Sequence, residues 1–290
     1  MKLISDLLQI DYNNRLNIDQ VFNILENDNN IIIGEIYINE NNINKDIQII
    51  NSYENLKTEY FIDKEDDYKY ENEKEIKENI EIKINKKLIG FSYTYRFEKE
   101  GQYKIEYLFK NNLTKTNHMF CGCEKLTNLN LSNFNTQNVT NMSKMFSHCH
   151  FLIDLNLTSF NTQNVTNMSE MFFECRSLTN LNLSNFNTQK VNNIYKMFAY
   201  CESLTDLNLS NFNTKNVTNM SSMFYNCKIL KNLNLSNFTT QNVVDMRYMF
   251  CDCYLLTNLV LSNFKVTNLE LSNFKVTHRK DDNMFSFCSS

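Results

Sequence analysis

Six cysteines at a constant spacing are the residues best suited to do chemistry in this sequence. They lie 26 residues apart, at Cys123, Cys149, Cys175, Cys201, Cys227 and Cys253. Regularly spaced thiols can ligate a metal ion, form disulfides or pack as small apolar side chains. Stacked repeats about 4.8 Å apart would bring such thiols within disulfide reach. In a reducing compartment free thiols persist, so we expect a buried, structural column of thiols.

Two further thiols lie two residues before members of this column. Cys121 precedes Cys123 and Cys251 precedes Cys253, each with one residue between. A C-x-C pair is a weaker zinc signal than paired C-x-x-C knuckles. The two pairs are also five repeats apart, which prevents them from sharing one ion. We therefore expect Cys121 and Cys251 to be exposed thiols and predict neither a metal nor a cofactor.

Histidine is scarce, which limits the possible acid–base chemistry. The chain has four histidines, and His118 and His278 lie at or beyond the edges of the repeats. His148 and His150 flank Cys149, and because adjacent residues point apart we expect a histidine pair at a helix end and not a metal site. A Ser-His-Asp set or an acid–base pair cannot be assembled from these residues. The sequence therefore indicates a protein that is not an enzyme.

Apolar residues follow the same 26-residue period. Met-Phe pairs occur at 119–120, 145–146, 171–172, 197–198, 223–224 and 249–250. Such a period is typical of leucine-rich repeats, whose units must stack to bury their apolar faces. Alternation at Leu129 and Leu131 predicts a short strand, and the spacing of Met142, Phe146 and Cys149 predicts a short helix. Residues 117–290 are thus predicted to form an α/β leucine-rich-repeat solenoid of about six coils, with short parallel strands and short helices.

Asparagine takes over the role of glycine and proline in the predicted turns. Gly occurs four times and Pro is absent, whereas the Asn side chain can bond its own main chain. One asparagine per unit also alternates with the buried leucines of the strand. We expect these residues to form a ribbon of amides on the exposed sheet face: Asn130, Asn156, Asn182, Asn208 and Asn234.

The positions around each Met-Phe pair differ from repeat to repeat. A partner that reads this protein specifically would have to contact such changing positions rather than the uniform asparagines. We therefore predict an interaction surface on the helix side, made of Lys144, Ser147, His148, Glu170, Phe173, Glu174, Lys196, Tyr200, Ser222, Tyr225 and Tyr248.

Two other segments precede the repeats. Residues 25–116 contain runs rich in β-branched and aromatic residues, such as 31–38 and 103–109, and several of these runs alternate apolar and polar residues. This pattern predicts a small antiparallel β domain. Residues 1–24 have apolar residues at helical spacing and are predicted to be a short helical segment.

Charge and hydropathy exclude several classes of function. Residues 1–118 carry 16 Lys and Arg against 22 Asp and Glu, and residues 119–290 carry 13 against 11. Because neither part has a basic stripe, we do not expect nucleic acid as a partner. No run approaches the roughly 20 apolar residues of a membrane span, and Asp6 interrupts any apolar core of a signal peptide. We expect a cytoplasmic protein, with a surface or secreted location less favoured.

The repeat unit resembles a known family. The pattern Leu-x-x-Leu-Asn-Leu-Ser-Asn-Phe-Asn-Thr-Gln-Asn-Val-Thr-Asn-Met-Ser-x-Met-Phe-x-x-Cys recurs in register over 119–290. It closely resembles the BspA-like leucine-rich repeats of bacterial surface proteins and protist proteins. This resemblance implies binding, either of host proteins and neighbouring cells as a surface adhesin or of partner proteins otherwise.

A second resemblance covers residues 1–24. The pattern from Leu3 through Asp6, Asp11 and Arg15 to Val21 is similar to the last helices of a eukaryotic protein kinase domain. In that family the arginine at the position of Arg15 is a structural ion-pair partner of the activation segment. The Gly-rich, His-Arg-Asp and Asp-Phe-Gly motifs that hold ATP and Mg²⁺ are absent from this sequence.

These observations predict a non-catalytic interaction or scaffold protein that binds a protein partner through its leucine-rich repeats. One alternative is the targeting or regulatory end of a repeat-containing protein kinase. Another is a BspA-like surface adhesin.

Overall fold

The computed structural model describes residues 30–51 and 72–264. Apart from a short 3₁₀ turn at Glu40–Asn42, its elements in chain order are β1 (Ile31–Ile38), β2 (Asp46–Gln48), α1 (Glu73–Asn79), β3 (Ile80–Ile84), β4 (Lys87–Gly90), β5 (Thr94–Arg96), β6 (Gly101–Phe109), β7 (Leu126–Asn133), β8 (Asp154–Asn156), β9 (Asn232–Asn234) and β10 (Asn258–Val260). The helical segment predicted for 1–24, with its kinase-like pattern, lies outside the described residues. None of the helices within the described ranges is long and apolar enough to cross a membrane.

A six-stranded sheet joins the N-terminal part to the repeats. Its strand order is β4-β3-β6-β1-β7-β8, and β1 runs antiparallel to both β6 and β7. Burial alternates along β1, as expected for a strand with one face on the core. β7 and β8 belong to the first two repeats and pair in parallel. The predicted domain boundary between residues 116 and 117 therefore separates strands that belong to one continuous sheet.

Close packing of β1 against the first repeat depends on Gly34. A Cβ atom at this position would lie 3.2 Å from Cδ2 of Leu126 and 3.3 Å from Cδ2 of Leu129. Such contacts are tighter than ordinary van der Waals packing, so a side chain here would push the leucines away. Glycine thus allows the leucines of the first repeat to pack directly on the N-terminal sheet.

Five complete repeats follow one another, and we number them by their cysteines: Cys149 closes the first, and Cys175, Cys201, Cys227 and Cys253 close the second to the fifth. Their interior consists of columns of identical residues. The phenylalanine of each Met-Phe pair stacks on the next, with ring centroids 5.7–6.1 Å apart and interplanar angles of 3–11°. The stacked column comprises Phe120, Phe146, Phe172, Phe198, Phe224 and Phe250.

The segment predicted to be a short helix is instead a series of turns, and no helix occurs between residues 117 and 264. In the first repeat, Met145 N–H bonds the carbonyl of Met142 three residues back, and Cys149 N–H bonds that of Phe146. The intervening Phe146 N–H bonds Met171 in the next repeat at 3.0 Å. Because alternate N–H groups bond the neighbouring repeat, the i−4 pattern of a helix cannot form.

These bonds stack the repeats in parallel. The turn segments of the first four repeats, residues 142–149 in the first and the equivalent residues in the others, each donate four backbone hydrogen bonds of 2.7–3.2 Å to the next repeat. On the side of each repeat opposite the turn segment, the strands pair in parallel: β7 pairs with β8, and β9 pairs with β10. Parallel bridges at equivalent asparagines, such as Asn141 with Asn167, continue the stack.

Asparagine side chains bond their own main chain, as the chemistry of the amide predicts. The side-chain oxygen of Asn130 accepts a hydrogen bond from the N–H of Ser132, two residues on, at 3.0 Å. The same bond recurs at the equivalent asparagines of the next four repeats. We call the surface that carries these amides the strand face; it comprises Asn130, Asn156, Asn182, Asn208 and Asn234.

Candidate functional site

Two residues in every repeat have a left-handed backbone, with φ between 51° and 61°. One directly precedes the Met-Phe pair: Lys144, Glu170, Lys196, Ser222 and Tyr248. The other is the second residue after the pair: His148, Glu174, Tyr200, Asn226 and Asp252. We call the surface around these two columns the turn face.

Most residue types on the turn face are ones that adopt a left-handed backbone conformation only at a cost. A left-handed conformation costs most L-residues about 1–2 kcal/mol, and Gly, Asn and Asp tolerate it best. Only Asn226 and Asp252 of the ten residues belong to those types. Asparagine is abundant elsewhere in each repeat, so it was an available choice. The Lys, Glu, His and Tyr side chains at these positions are therefore not explained by the requirements of the turn itself.

One aromatic side chain from each of the first four repeats contributes to a continuous zigzag of rings along the turn face. The ring of His148 meets that of Phe173 edge to face at 5.1 Å, and Phe173 meets Tyr200 at 5.7 Å. Tyr200 in turn meets Tyr225 at 5.2 Å. All four rings are half-buried. The edge-to-face contacts hold each ring in a defined orientation.

Charged side chains lie beside this row of rings. Lys144 Nζ is 3.2 Å from a carboxylate oxygen of Glu170, and both side chains are less than one-fifth exposed. Lys196 Nζ lies 5.3 Å from the ring centroid of Phe173, a cation–π distance. Cations, carboxylates and aromatic rings therefore alternate over the first three repeats of the turn face.

Two residues predicted to belong to the interaction surface are buried instead. Ser147 is 1% exposed, and its hydroxyl lies in hydrogen-bonding contact with the thiol of Cys121. Ser222 is 8% exposed because its short side chain does not reach above its larger neighbours. At the far end of the face Tyr248 is 44% exposed. The structure places the other predicted residues together on the turn face.

Three side chains converge at the start of the turn face. His150 Nε2 lies 3.1 Å from Oε2 of Glu174, and His148 Nδ1 lies 3.6 Å from the same oxygen. One ligand atom from each of the three residues lies within 4.8 Å of the others. On its other side, His150 Nδ1 is 3.6 Å from Oε1 of Glu124. The prediction that this histidine pair lies at a helix end is wrong, because no helix occurs between residues 117 and 264.

The reason for this convergence is the alternation of the turn segment. Cys149 points into the core, so the residues on either side of it both point outward. The left-handed backbone at His148 and Glu174, which occupy equivalent positions 26 residues apart, aims both side chains at the same space. Arg176 completes the cluster, since its Nη2 donates a hydrogen bond to Oε2 of Glu174 at 2.7 Å.

Its hydrogen-bonding neighbours keep Glu174 ionised. The imidazole of His148, that of His150 and the guanidinium of Arg176 hold the pKa of the Glu174 carboxyl well below its usual range, although partial burial opposes them. A carboxylate with such partners is an acceptor and not a proton donor at neutral pH.

The six cysteines in register are buried, and their thiols are free. Cys149 Sγ donates a hydrogen bond to the carbonyl oxygen of Phe120 at 3.2 Å, and the same bond recurs in the next four repeats. Burial raises the pKa of the Cys149 thiol well above its ordinary value. Protonated thiols that donate to carbonyls in an apolar core are poor nucleophiles and poor metal ligands.

Cys121 was expected to be exposed but is buried, with 3% of its surface accessible. The N-terminal segment covers it: Nε2 of Gln48 donates a hydrogen bond to the Cys121 carbonyl at 2.7 Å. Its thiol pKa rises to about 12, chiefly because of burial. At the other end of the array Cys251 is half-buried.

Comparison with known proteins identifies the family of the repeats. The model of one family, described as Mycoplasma protein of unknown function, DUF285, matches residues 91–207, 150–264 and 178–287. Together these overlapping matches span residues 91–287, more than half of the chain. The chain belongs to the DUF285 family. Overlapping matches of one model are expected of a DUF285 repeat array, because the model can align with the same repeats in more than one register.

Neither the curated proteins nor the solved structures contain a match to this DUF285 chain. The family description states no function, so the turn face and the histidine–glutamate cluster rest on the geometry alone. Sequence reasoning missed two members of the cluster, Glu124 and Arg176, and did not assign His150 to a site. The available signal was the separation of His150 and Arg176 by 26 residues, which puts both in the register of the repeats.

Proposed function

We propose that this chain is a non-catalytic repeat protein, a solenoid of the leucine-rich-repeat type, that binds a protein partner through its turn face. The observation that carries the proposal is the left-handed backbone at two positions of every repeat, occupied mostly by Lys, Glu, His and Tyr. Strained residues of this kind persist where their side chains are used, and they cluster at functional sites.

The chemistry of the turn face favours a protein as the partner. Tyrosine combines a large apolar ring with a hydroxyl, and it is enriched among the residues that contribute most to protein–protein binding. Tyr200 and Tyr225 lie in contact near the middle of the array and are half-buried, so their orientation is largely fixed before binding. Positive and negative side chains alternate over the first three repeats of the same face, which favours a mixed protein surface over a polyanion.

A binding role without catalysis accords with the state of the thiols. The cysteines that recur in every repeat are buried, and burial raises the pKa of, for example, Cys175 and Cys201 well above the ordinary value. Their Sγ atoms donate hydrogen bonds inside the array. We therefore propose that the cysteine column stabilises the scaffold and that the turn face does the binding.

The proposal is tested by an interaction measured with purified components. Proteins captured by the full chain from an extract of the source organism are identified, and the candidate partner is purified. Its affinity is then measured by calorimetry for the native chain, Tyr200→Ala, Tyr225→Ala and a strand-face control, Asn208→Ala. We expect each tyrosine variant to weaken binding at least tenfold, as for a central contact residue.

The control separates binding from stability. Asn208 lies on the opposite surface of the same repeats, and its substitution should leave the affinity within about twofold of the native value. If Asn208→Ala abolishes binding while both tyrosine variants retain it, the strand face is the binding surface and the proposal is wrong.

A further inference from the structure

We propose that His148, His150 and Glu174 form a binding site for a divalent transition-metal ion of the Zn²⁺ class. The proposal does not rest on protein binding by the turn face. Imidazole nitrogen and carboxylate oxygen are ordinary zinc ligands, and a set of two histidines and one glutamate leaves a fourth position for water or another ligand.

The distances between the ligand atoms fit such an ion. Two atoms that each lie about 2.0–2.1 Å from a tetrahedral Zn²⁺ are separated by about 3.3 Å. The distances from Glu174 Oε2 to Nε2 of His150 and to Nδ1 of His148, 3.1 and 3.6 Å, lie on either side of that value. The two histidine nitrogens lie within 4.8 Å of each other, so a small rotation of the half-buried rings completes the triangle.

The backbone that carries the three ligands is fixed by the repeat stack. His148 N–H donates a hydrogen bond to the carbonyl of Phe173, the residue before Glu174, at 2.8 Å. This bond ties the two ligand-bearing repeats together next to the site. The ring of Phe173 also packs edge to face on His148 at 5.1 Å, which restricts the imidazole. A metal ion would therefore meet a largely preorganised set of ligands.

A carboxylate behind one histidine is a second, independent indication. Metal-bound histidines usually direct the other ring nitrogen to a carboxylate or carbonyl, which fixes the tautomer and raises the basicity of the ligand. Glu124 Oε1 lies 3.6 Å from Nδ1 of His150, on the side of the ring away from Glu174. Glu124, His150 and the ion would thus form the familiar carboxylate–histidine–metal arrangement.

Arg176 opposes the binding of a cation here. Its guanidinium donates to the same oxygen, Oε2 of Glu174, that would face the ion. The Arg176 side chain is 49% exposed, so it can move into solvent or shift to the other carboxylate oxygen. The neighbouring thiol does not compete as a ligand, because Cys149 Sγ bonds the carbonyl of Phe120 inside the core.

The experiment titrates the purified full chain, first stripped with a chelator, with Zn²⁺ in competition with a chromogenic chelator. We expect one equivalent to bind in the native chain. His150→Gln and Glu174→Gln should each weaken binding at least tenfold, and Glu124→Gln should weaken it about tenfold through the orientation of His150. Arg176→Gln should tighten binding severalfold, a result that a merely structural role of the cluster does not predict.

Co²⁺ provides a readout that does not depend on the variants folding. The native chain loaded with Co²⁺ should show visible bands of a tetrahedral nitrogen and oxygen site without a thiolate charge-transfer band. Glu202→Gln serves as the matched control, since Glu202 is a partly buried carboxylate paired with Lys228 in a later repeat, and it should leave Zn²⁺ affinity unchanged. The absence of stoichiometric Zn²⁺ binding, or a thiolate band with Co²⁺, overturns the proposal.

Discussion

The two faces of the repeat array use their polar side chains in opposite ways. On the strand face the asparagines bond their own main chain two residues on, as Asn182 does with Ser184. On the turn face the side chains reach across to neighbouring repeats, as Lys144 does to Glu170 and Phe173 to Tyr200. The strand face therefore stabilises its own backbone, and its asparagines can be identical in every repeat. The other contributes little to its own turns and is free to differ from repeat to repeat.

The largest expected effect tests whether the turn half of each repeat is anchored more firmly than the strand half. Phe172 is fully buried and stacked on rings from both sides, whereas Leu181 lies at the strand side and is slightly exposed. Phe172→Ala should lower the free energy of unfolding by about 3–5 kcal/mol because it leaves a large cavity. Leu181→Ala should cost less, about 2 kcal/mol. Denaturant unfolding followed by circular dichroism measures both, and a larger loss for Leu181→Ala would reverse the comparison.

The next prediction concerns pH and uses Glu174→Gln on the turn face. The pKa of Glu174 is lowered in the folded chain, chiefly by His148 and then by His150. A lowered folded pKa stabilises the fold above the unfolded pKa, near 4.3, and this contribution disappears as the pH falls through the folded value. At pH 7 and with a chelator present, the variant should be about 1 kcal/mol less stable than the native chain, since a half-exposed ion pair is screened.

The loss caused by Glu174→Gln should shrink steadily as the pH is lowered below about 4. Asp206→Asn is the strand-side counterpart, because Asp206 is exposed and accepts a 3.4 Å hydrogen bond from the amide of Asn232. It should change stability by less at every pH. A Glu174→Gln difference that stays constant down to the acid limit would mean that the carboxylate charge does not stabilise this cluster.

A smaller effect is expected when the strand face loses one amide. Asn182→Ala removes the acceptor for the Ser184 N–H at an exposed position. Because water replaces the lost bond, the cost should be about 0.5–1 kcal/mol. Thermal and denaturant unfolding measure this cost, and partner binding should stay the same. A change in affinity would indicate that the strand face takes part in recognition.

The smallest expected change in stability has opposite signs on the two faces. Ser222 has φ 54°, so Ser222→Gly relieves about 1–2 kcal/mol of backbone strain while adding about 0.5–1 kcal/mol of unfolded-state entropy. We expect a net gain of about 0.5 kcal/mol in stability. Ser210→Gly, at the exposed end of the strand side, has no such strain to relieve and should lose about 0.5–1 kcal/mol. Equal signs for the two substitutions would show that the left-handed backbone is not strained.

The positions of residues that recur with a fixed period could be predicted from the sequence. Columns such as Phe146 and Cys149 could be assigned to the interior because apolar residues that recur in register must face a shared core. The bonding of asparagine to its own main chain also followed from its local chemistry, since the bond from the Ser132 N–H to the Asn130 side chain needs no distant partner.

What depended on partners in another repeat could not be predicted. Consecutive turns and a short helix both place Met142 and Phe146 on one side. They differ in their hydrogen bonds: in a helix every N–H bonds within its own repeat, whereas here alternate N–H groups bond the next repeat. The same limit applies to the cluster, because His150 meets Glu174 only through left-handed backbone across a repeat boundary. Ser147 and Ser222 vary like their neighbours in sequence, and only packing shows that they are buried.

The backbone bonds between neighbouring repeats also determine how the array should respond to tension. Each repeat is held to the next by its own set of bonds, so under a force along the stack these sets can break one at a time. A terminal repeat should peel away before its neighbour, and each event should release 26 residues, about 90 Å of extended chain. Under tension the repeat array should therefore lengthen in equal steps of one repeat each.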